Sequence, residues 1–223
     1  MKILAMDTAT AATTAAVLDT ETGDHHEARD DPAPGTRPGH IQHLLGLCEQ
    51  TLAATGLSWS QLDRIAVGIG PGTFTGLRIG IASAQALSRS VGVELVGIPT
   101  LDSLLLGAAT DAESPLAVID ARRGEAFVRA RGLEPTVLKP EQLASYARHA
   151  GAGLAVGDGA LKFREQLTAA QVPVAPEDSP LHRVSALYHC RIAAELNPGR
   201  SAGVQPLYLR LSDAELALGD NGN

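Results

Sequence analysis

The sequence predicts an α/β protein made of two lobes of the same design, the second one smaller. The chain begins with apolar runs separated by turns, continues with alternating helical and strand patterns, and returns to a similar strand-turn-strand pattern in its second half. Alternation of these patterns is typical of α/β folds. The hydrophobic share of 44% and the charged share of 19% indicate a chain that can bury a core.

The first lobe is predicted to begin with three strands and to continue with helices. The strands are predicted at residues 3–6, 12–18 and 25–29, before a Pro/Gly-rich loop at 31–39. An amphipathic helix follows, because apolar side chains recur at helical spacing: Ile41, Leu44, Leu45, Cys48 and Leu52. A strand, a helix and a strand are then predicted at 65–69, 75–90 and 94–98. This order of elements resembles one lobe of a ribonuclease-H-like fold.

The second half repeats the first in outline. The stretch LAVIDARRGEAFVRA at 116–130 follows the pattern of ILAMDTATAATTAAV at 3–17, with Asp120 in place of Asp7, and LAVGDGA at 154–160 echoes IAVGIGPG at 65–72. Either pair alone could be chance, but two pairs in the same order favour duplication. The predicted division is a first lobe at 1–100, a trimmed second lobe at 101–211 and a flexible tail at 212–223.

Composition restricts the classes of function. The net charge of −7 argues against a chain that binds nucleic acid unaided. Cys48 and Cys190 lie in apolar, helix-like surroundings, which predicts buried reduced thiols. No apolar run approaches the ~20 residues of a membrane span or the length of a signal peptide, so a cytoplasmic protein is expected.

The glycine-rich stretch GIGPGTFTGLRIG at 68–80 invites comparison with phosphate-binding loops. A Walker-type loop needs Gly-Lys and a hydroxyl residue, whereas Leu77 follows Gly76 here. The dinucleotide pattern fails as well, because Thr73 stands in place of the third glycine. Thr73 and Thr75 could face an anion at the start of the next helix, but ordinary capping is the favoured interpretation.

That next helix carries a face of small residues at spacings of four: Gly76, Gly80 and Ala84. Leu77 and Ile81 lie beside this face. Small side chains allow a close approach of backbones. The pattern therefore predicts a close contact, either inside the lobe or with another chain.

Asp7 and Asp120 are the strongest chemical candidates, since each follows the first strand of its lobe, where two-lobed phosphotransferases hold Mg²⁺. Their turns lack glycines that would let backbone N–H groups wrap a phosphate, so carboxylates that cap turns are favoured. Arg122 and Arg123 could pair with acidic groups or an anion, although surface arginines usually do neither specifically.

Two histidines on the first helix, His40 and His43, could share a metal ion. Polar surface or interface histidines are the favoured interpretation. No catalytic residue and no metal site are predicted.

Seven stretches together resemble the TsaB (YeaZ) family: ILAMDTAT, GHIQHLLG, GIGPGTFTGLRIGIASAQAL, GIPTLDSL, VIDARRGEAF, VGDGA and PLYLR. They occur in consistent order from Met1 to about Leu211. The resemblance implies an actin-like, Hsp70-like, sugar-kinase-like fold with two ribonuclease-H-like lobes. It also implies a non-catalytic subunit in the synthesis of threonylcarbamoyladenosine at position 37 of ANN-decoding tRNAs.

The resemblance implies partners as well. They are a TsaD-type catalytic paralogue that carries the metal site and a TsaE-type ATPase, with tRNA contacted only indirectly, no membrane, and a homodimer when the chain is alone. No tightly bound cofactor is expected, and a nucleotide is expected only at the junction of the complex. The paralogue has His-x-x-x-His on its first helix, whereas Leu44 and Leu47 stand four residues after His40 and His43.

In this family the first two helices form the partner surface. The implied interface residues are His40, His43, Leu44, Leu47, Gly76, Leu77, Gly80, Ile81 and Ala84. The implied positions of a degenerate nucleotide site are Asp7, Thr8, Thr10, Asp120, Gly157 and Asp158. Two alternatives stay open: a small ATPase or kinase of the same fold, and a metallopeptidase-like protein holding zinc.

Overall fold

The structure is a computed structural model that describes residues 1–33, 35–197 and 204–210. Its first lobe is built around a five-stranded sheet. The strands are β1 (Lys2–Asp7), β2 (Thr13–Asp19), β3 (His25–Asp30), β4 (Arg64–Gly70) and β5 (Glu94–Pro99). Their order in the sheet is β3-β2-β1-β4-β5. Antiparallel pairing joins β1 to β2, and parallel pairing joins β1 to β4 and β4 to β5, which confirms the predicted strands.

Both faces of this sheet are covered by helices. Leu4 and Met6 of β1 pack with α1 (His40–Ala54) and α2 (Phe74–Val91) in one cluster. Ile3 and Ala5 point to the opposite face, because side chains alternate along a strand, and pack against α7 (Ala186–Glu195). The central strand β1 is therefore buried on both sides.

The second sheet repeats the first with shorter strands. Its strands are β6 (Pro115–Arg122), β7 (Glu125–Ala130), β8 (Thr136–Leu138) and β9 (Leu154–Val156), in the order β8-β7-β6-β9. This is the order of β3-β2-β1-β4, with the same antiparallel and parallel pairings. Next to β9, a single parallel bridge between Ala155 and Val174 stands where a fifth strand would pair. The predicted duplication and the trimming of the second lobe are confirmed.

The remaining helices connect or cover the sheets. They are α3 (Thr100–Ala108), α4 (Pro140–His149), α5 (Asp158–Lys162) and α6 (Arg164–Ala169). The first of them, α3, contacts both β6 and α7, whereas α4 and α6 pack together on the second sheet. None of the helices in the described ranges is long and apolar enough to cross a membrane.

Helix α7 comes from the second half of the sequence but belongs spatially to the first lobe. Glu27 of β3 accepts hydrogen bonds from the Ala186 amide (2.7 Å) and the Ser185 hydroxyl (2.9 Å) at the start of α7. The buried Arg64 of β4 donates to the carbonyls of Ala193 and Leu196 at its end. The predicted division near residue 100 therefore does not separate the lobes in space, and the predicted tail at 212–223 lies outside the described residues.

Residues 204–210, called the strap below, join the two lobes. The Leu207 amide donates to the Ile69 carbonyl (2.7 Å) in the first lobe. Arg210 pairs with Glu125 of β7 (2.9 Å) in the second. The strap consequently forms one wall of the cleft between the lobes.

Both cysteines are buried and unpaired, as predicted. Burial raises the pKa of the Cys48 thiol to about 12, and burial also raises the pKa of Cys190. The two thiols are therefore uncharged at neutral pH.

Candidate functional site

Asp7 is closed off from the cleft inside the first lobe. Its side chain is 1% exposed, and its Oδ2 atom accepts a hydrogen bond from the Thr100 hydroxyl (3.0 Å) and pairs with His189 Nε2 (3.0 Å). Its Oδ1 atom accepts from the Ala9 amide (2.7 Å), as a turn-capping carboxylate does. Every oxygen of this carboxylate has a protein partner, so Asp7 is not placed to hold a metal ion or orient a water molecule.

The small-residue face of α2 makes this closure possible. A Cβ atom at Gly76 would overlap the Thr8 carbonyl, and one at Gly80 would overlap the Thr8 hydroxyl. Instead the Thr8 hydroxyl donates to the Gly76 carbonyl (2.7 Å). The close contact predicted from the glycine spacing is therefore internal, between α2 and the connection of β1 and β2.

Most members of the expected interface set lie inside the first lobe of the isolated chain, and their role in an interface stays a prediction. The structure buries six of its members inside the lobe: Leu44, Gly76, Leu77, Gly80, Ile81 and Ala84. His40 is buried as well, with Nδ1 2.9 Å from the Thr13 hydroxyl, and burial lowers its pKa. His43 is exposed and Leu47 is half-buried.

The apolar side chains that α1 offers to solvent are different ones. Ile41 is 75% exposed and Leu45 is 51% exposed. Leu45 borders a shallow groove of about 420 Å³ between α1 and α2, which Trp59, Leu87 and Val91 also line. A partner surface on these two helices stays a prediction, and its exposed apolar residues are these rather than Leu44.

Asp120, the counterpart of Asp7, lies at the edge of the open cleft. Its Oδ1 atom accepts from the Arg122 amide (2.8 Å) and pairs with Lys162 Nζ (2.7 Å). Its own amide donates to Asp158 Oδ1 (3.2 Å), and Gly157 precedes that residue in the left-handed region with φ +95°. The structure thus brings the three expected second-lobe positions together.

The expected first-lobe positions lie apart from that group. Thr8 is buried beside Asp7, and Thr10 is half-buried in the same connection. Among the described ranges, no group of histidine, cysteine and acidic side chains has the arrangement of a metal site.

The cleft between the lobes has a volume of about 510 Å³. Its walls are residues 72–75 at the start of α2, residues 120–123 in the turn between β6 and β7, and residues 207–210 of the strap. Phe74 and Tyr208 stack with their ring centroids 5.3 Å apart, and the Arg78 guanidinium lies 3.8 Å from the centre of the Phe74 ring. Arginine and aromatic side chains therefore dominate this cleft.

Several residues of both regions were not predicted as site residues from the sequence: Phe74, Thr100, His189, Tyr208 and Arg210. The contacts of Thr100, His189 and Arg210 join residues that are far apart in the sequence, and no local sequence pattern predicts such contacts. The stretches around Phe74 and Tyr208 carried a signal only as parts of the family resemblance.

The family model described as TsaD, tRNA N6-adenosine threonylcarbamoyltransferase, matches residues 35–185. The chain belongs to this family. Among its relatives, the tRNA threonylcarbamoyladenosine biosynthesis protein TsaB of Escherichia coli is 37% identical over 129 residues, which are 57% of this chain and 53% of that protein. The chain spans about half the length of the curated relatives it matches.

Solved structures agree with the fold. YeaZ from Pseudomonas aeruginosa superposes with a TM-score of 0.73 at 28% identity, covering 93% of this chain and 99% of that one. The ROK hexokinase of Thermus thermophilus superposes with a TM-score of 0.50 at 14% identity over 86% of this chain and 100% of that one, which indicates a shared fold alone. The predicted actin-like, sugar-kinase-like architecture is confirmed.

Proposed function

We propose that the chain is a non-catalytic subunit in the synthesis of threonylcarbamoyladenosine at position 37 of ANN-decoding tRNAs. In this proposal it binds and activates a TsaD-type transferase, together with a TsaE-type ATPase, and contacts tRNA only through them. Membership of the family supports the pathway. The closed environment of Asp7 supports a role outside catalysis, because the carboxylate that a phosphotransferase would use is held by Thr100 and His189.

The observation that carries the binding role is the apolar surface of α1. Ile41 and Leu45 lie one helical turn apart on the outside of the lobe, next to the groove that Trp59 and Leu87 line. Large apolar side chains around a groove are the usual anchors of a protein interface. We infer that a helix of the transferase packs on this surface, and that a second copy of the chain occupies it when the transferase is absent.

The test is threonylcarbamoylation of tRNA in a reconstituted mixture of transferase, ATPase and activated substrate. The chain is added, omitted, or added as Leu45→Arg. We expect threonylcarbamoylation to depend on the presence of the chain. We also expect Leu45→Arg to weaken the affinity for the transferase, followed by co-elution, about tenfold or more, because the variant loses an apolar anchor.

Gln50→Arg is the matched control, since Gln50 is exposed on the same helix but does not line the groove. This variant should keep full activity and co-elution. Activity that is unchanged when the chain is omitted would overturn the proposed function. Full co-elution of Leu45→Arg would overturn only the assignment of the surface.

A further inference from the structure

The two lobes face each other across an open cleft that the strap bridges. The cleft has a volume of about 510 Å³, and residues 207–210 of the strap form one of its walls. Lobes that meet across a cleft rather than through a shared core are expected to change their relative angle. The contacts that bridge the cleft therefore determine how far this angle can change.

The first-lobe end of the strap is held by backbone bonds and by core packing. The Leu207 amide donates to the Ile69 carbonyl of β4 (2.7 Å). The Gln85 side chain of α2 donates to the Val204 carbonyl (3.2 Å). The Val204 side chain also packs on the apolar cluster that includes Met6. Contacts with a buried core open rarely, so this end of the strap is the fixed one.

The second-lobe end of the strap depends on an ion pair. Arg210 Nη1 donates to Glu125 Oε2 of β7 at 2.9 Å, and the two side chains are 27% and 26% exposed. The neighbouring Leu209 packs on the apolar cluster that includes Phe127. Water and dissolved ions reach a partly exposed pair and weaken the attraction between its charges. This end is therefore the one that releases first.

The strap is too short to let the lobes separate while both of its ends hold. Leu207 and Arg210 are three residues apart, so their Cα atoms can be separated by at most about 11 Å. Pro206 stiffens the segment before them, because its ring fixes φ. The Ile69 carbonyl and the Glu125 carboxylate consequently stay close to each other until one of the two contacts breaks.

We propose that the strap is a conformational latch, which holds the two lobes at one angle and lets them open when the ion pair between Arg210 and Glu125 breaks. The chain then has two states. In one the strap binds both lobes, and in the other it stays on the first lobe while the second lobe rotates away. The latch is a property of the chain alone and does not depend on the proposed role in tRNA modification.

The test is double electron–electron resonance on the full chain, which measures the distance between the lobes. One spin label is attached at Gln50→Cys on α1 and the other at Ser145→Cys on α4, both at exposed positions. The native Cys48 and Cys190 are buried and stay unlabelled in the folded chain. We expect one main distance, because the latched state predominates.

Glu125→Gln removes the charge that holds the strap to β7. We expect it to raise the population of a second distance about two- to fivefold, as loss of a partly exposed ion pair permits. Sodium chloride at about 1 M should raise the same population without this change, because it screens charges separated by more than about 3 Å. Salt should have no further effect on Glu125→Gln.

Glu165→Gln is the matched control, because it removes the same charge from an exposed position on α6 that does not line the cleft. It should leave the distance distribution unchanged. Reversal of the pair by Glu125→Arg with Arg210→Glu should restore the main distance, because the attraction returns. Thermal unfolding checks that each variant keeps the fold, and the salt series requires no substitution in the strap.

The latch is refuted by any of three results. The first is two distances of similar population in the labelled chain before any further change. The second is a distribution that both Glu125→Gln and salt leave unchanged. The third is a second distance in Glu125→Gln that reversal of the pair does not remove, which would assign the effect to β7 rather than to the ion pair.

Discussion

The two lobes place equivalent aspartates in opposite environments. Asp7 is the last residue of β1 and Asp120 lies two residues before the end of β6, the corresponding strand of the second sheet. Each carboxylate accepts a backbone hydrogen bond from the residue two positions on. The Asp7 side chain is 1% exposed and paired with the fully buried His189, whereas the Asp120 side chain is 12% exposed and paired with Lys162, which is 41% exposed. The difference comes from His189 of α7 and Thr100 at the start of α3, which close over Asp7, whereas the partners of Asp120 are the partly exposed Lys162 and Arg122.

A duplicated framework therefore does not duplicate its chemistry. Both turns keep the carboxylate because it satisfies backbone N–H groups, which is a structural requirement of the hairpin. Whether the carboxylate can also interact with solvent or a ligand depends on the element that packs against it. In the first lobe that element removes it from solvent, and in the second lobe the charged side chains around it remain accessible.

The largest loss in the free energy of unfolding is expected when His189, the partner of Asp7, is replaced. His189→Ala leaves a buried carboxylate with only the Thr100 hydroxyl and the Ala9 amide, and loss of one member of a buried pair costs about 3–5 kcal/mol. Urea unfolding of the isolated chain measures this loss. The double variant Asp7→Asn with His189→Ala should recover part of it, because no uncompensated charge remains.

The exposed His25 provides a control, since His25→Ala should change the free energy of unfolding by less than about 0.5 kcal/mol. A cost below about 1 kcal/mol for His189→Ala would show that the Asp7 site is accessible to water. The contrast between the two aspartates would then be lost.

A smaller loss in the free energy of unfolding is expected when a side chain is added where α2 closely approaches Thr8. Gly76→Ala places a Cβ atom against the backbone of Thr8, and such overpacking costs about 1–3 kcal/mol. Gly46→Ala on α1 is the matched control, because Gly46 is exposed with no atom within 4 Å of its added Cβ, and this change should stabilise the helix by up to about 1 kcal/mol. Equal unfolding midpoints for the two variants would show that the small-residue face of α2 is not required inside the lobe.

The smallest loss in the free energy of unfolding is expected when Asp120 is replaced. Asp120→Asn removes pairs with Lys162 and Arg122, whose side chains are 41% and 61% exposed, and pairs of this kind contribute about 0–1 kcal/mol. The same change at Asp7 should cost several times more in the same urea experiment. Similar costs at the two positions would mean that burial does not distinguish them.

The regular elements could be predicted from the sequence because their signals are local. The helix predicted at 75–90 is observed as α2 at Phe74–Val91, and every predicted strand boundary lies within one residue of those of β1 to β5. The matching strand-turn patterns around Asp7 and Asp120 predicted the duplication that the two sheet orders confirm. Periodicity and turn residues act over a few positions, so one sequence suffices to detect them.

The same periodicity could not tell which apolar residues of α1 face the sheet. Ile41, Leu44 and Leu45 share one broad stripe in the sequence, yet Leu44 is 3% exposed and Ile41 is 75% exposed. The stripe is wider than the surface that the sheet covers, and only the position of β2 and α2 decides where burial ends. The expected interface set therefore includes residues such as Leu44 that the lobe itself buries, and whether they also contact a partner stays a prediction.

The α/β class, the two related lobes, the buried thiols and the capping role of the two aspartates follow from local patterns in the sequence. Three features follow only from the folded chain: α7 returns to the first sheet, His189 and Thr100 close the Asp7 site, and the strap brings Tyr208 and Arg210 to the arginines of the second hairpin. Hydrogen-bond and packing preferences between neighbours along the chain are properties of the sequence. Contacts such as Asp7 with His189 join residues 182 positions apart, and they exist only because two sheets and the helices between them fix the distance.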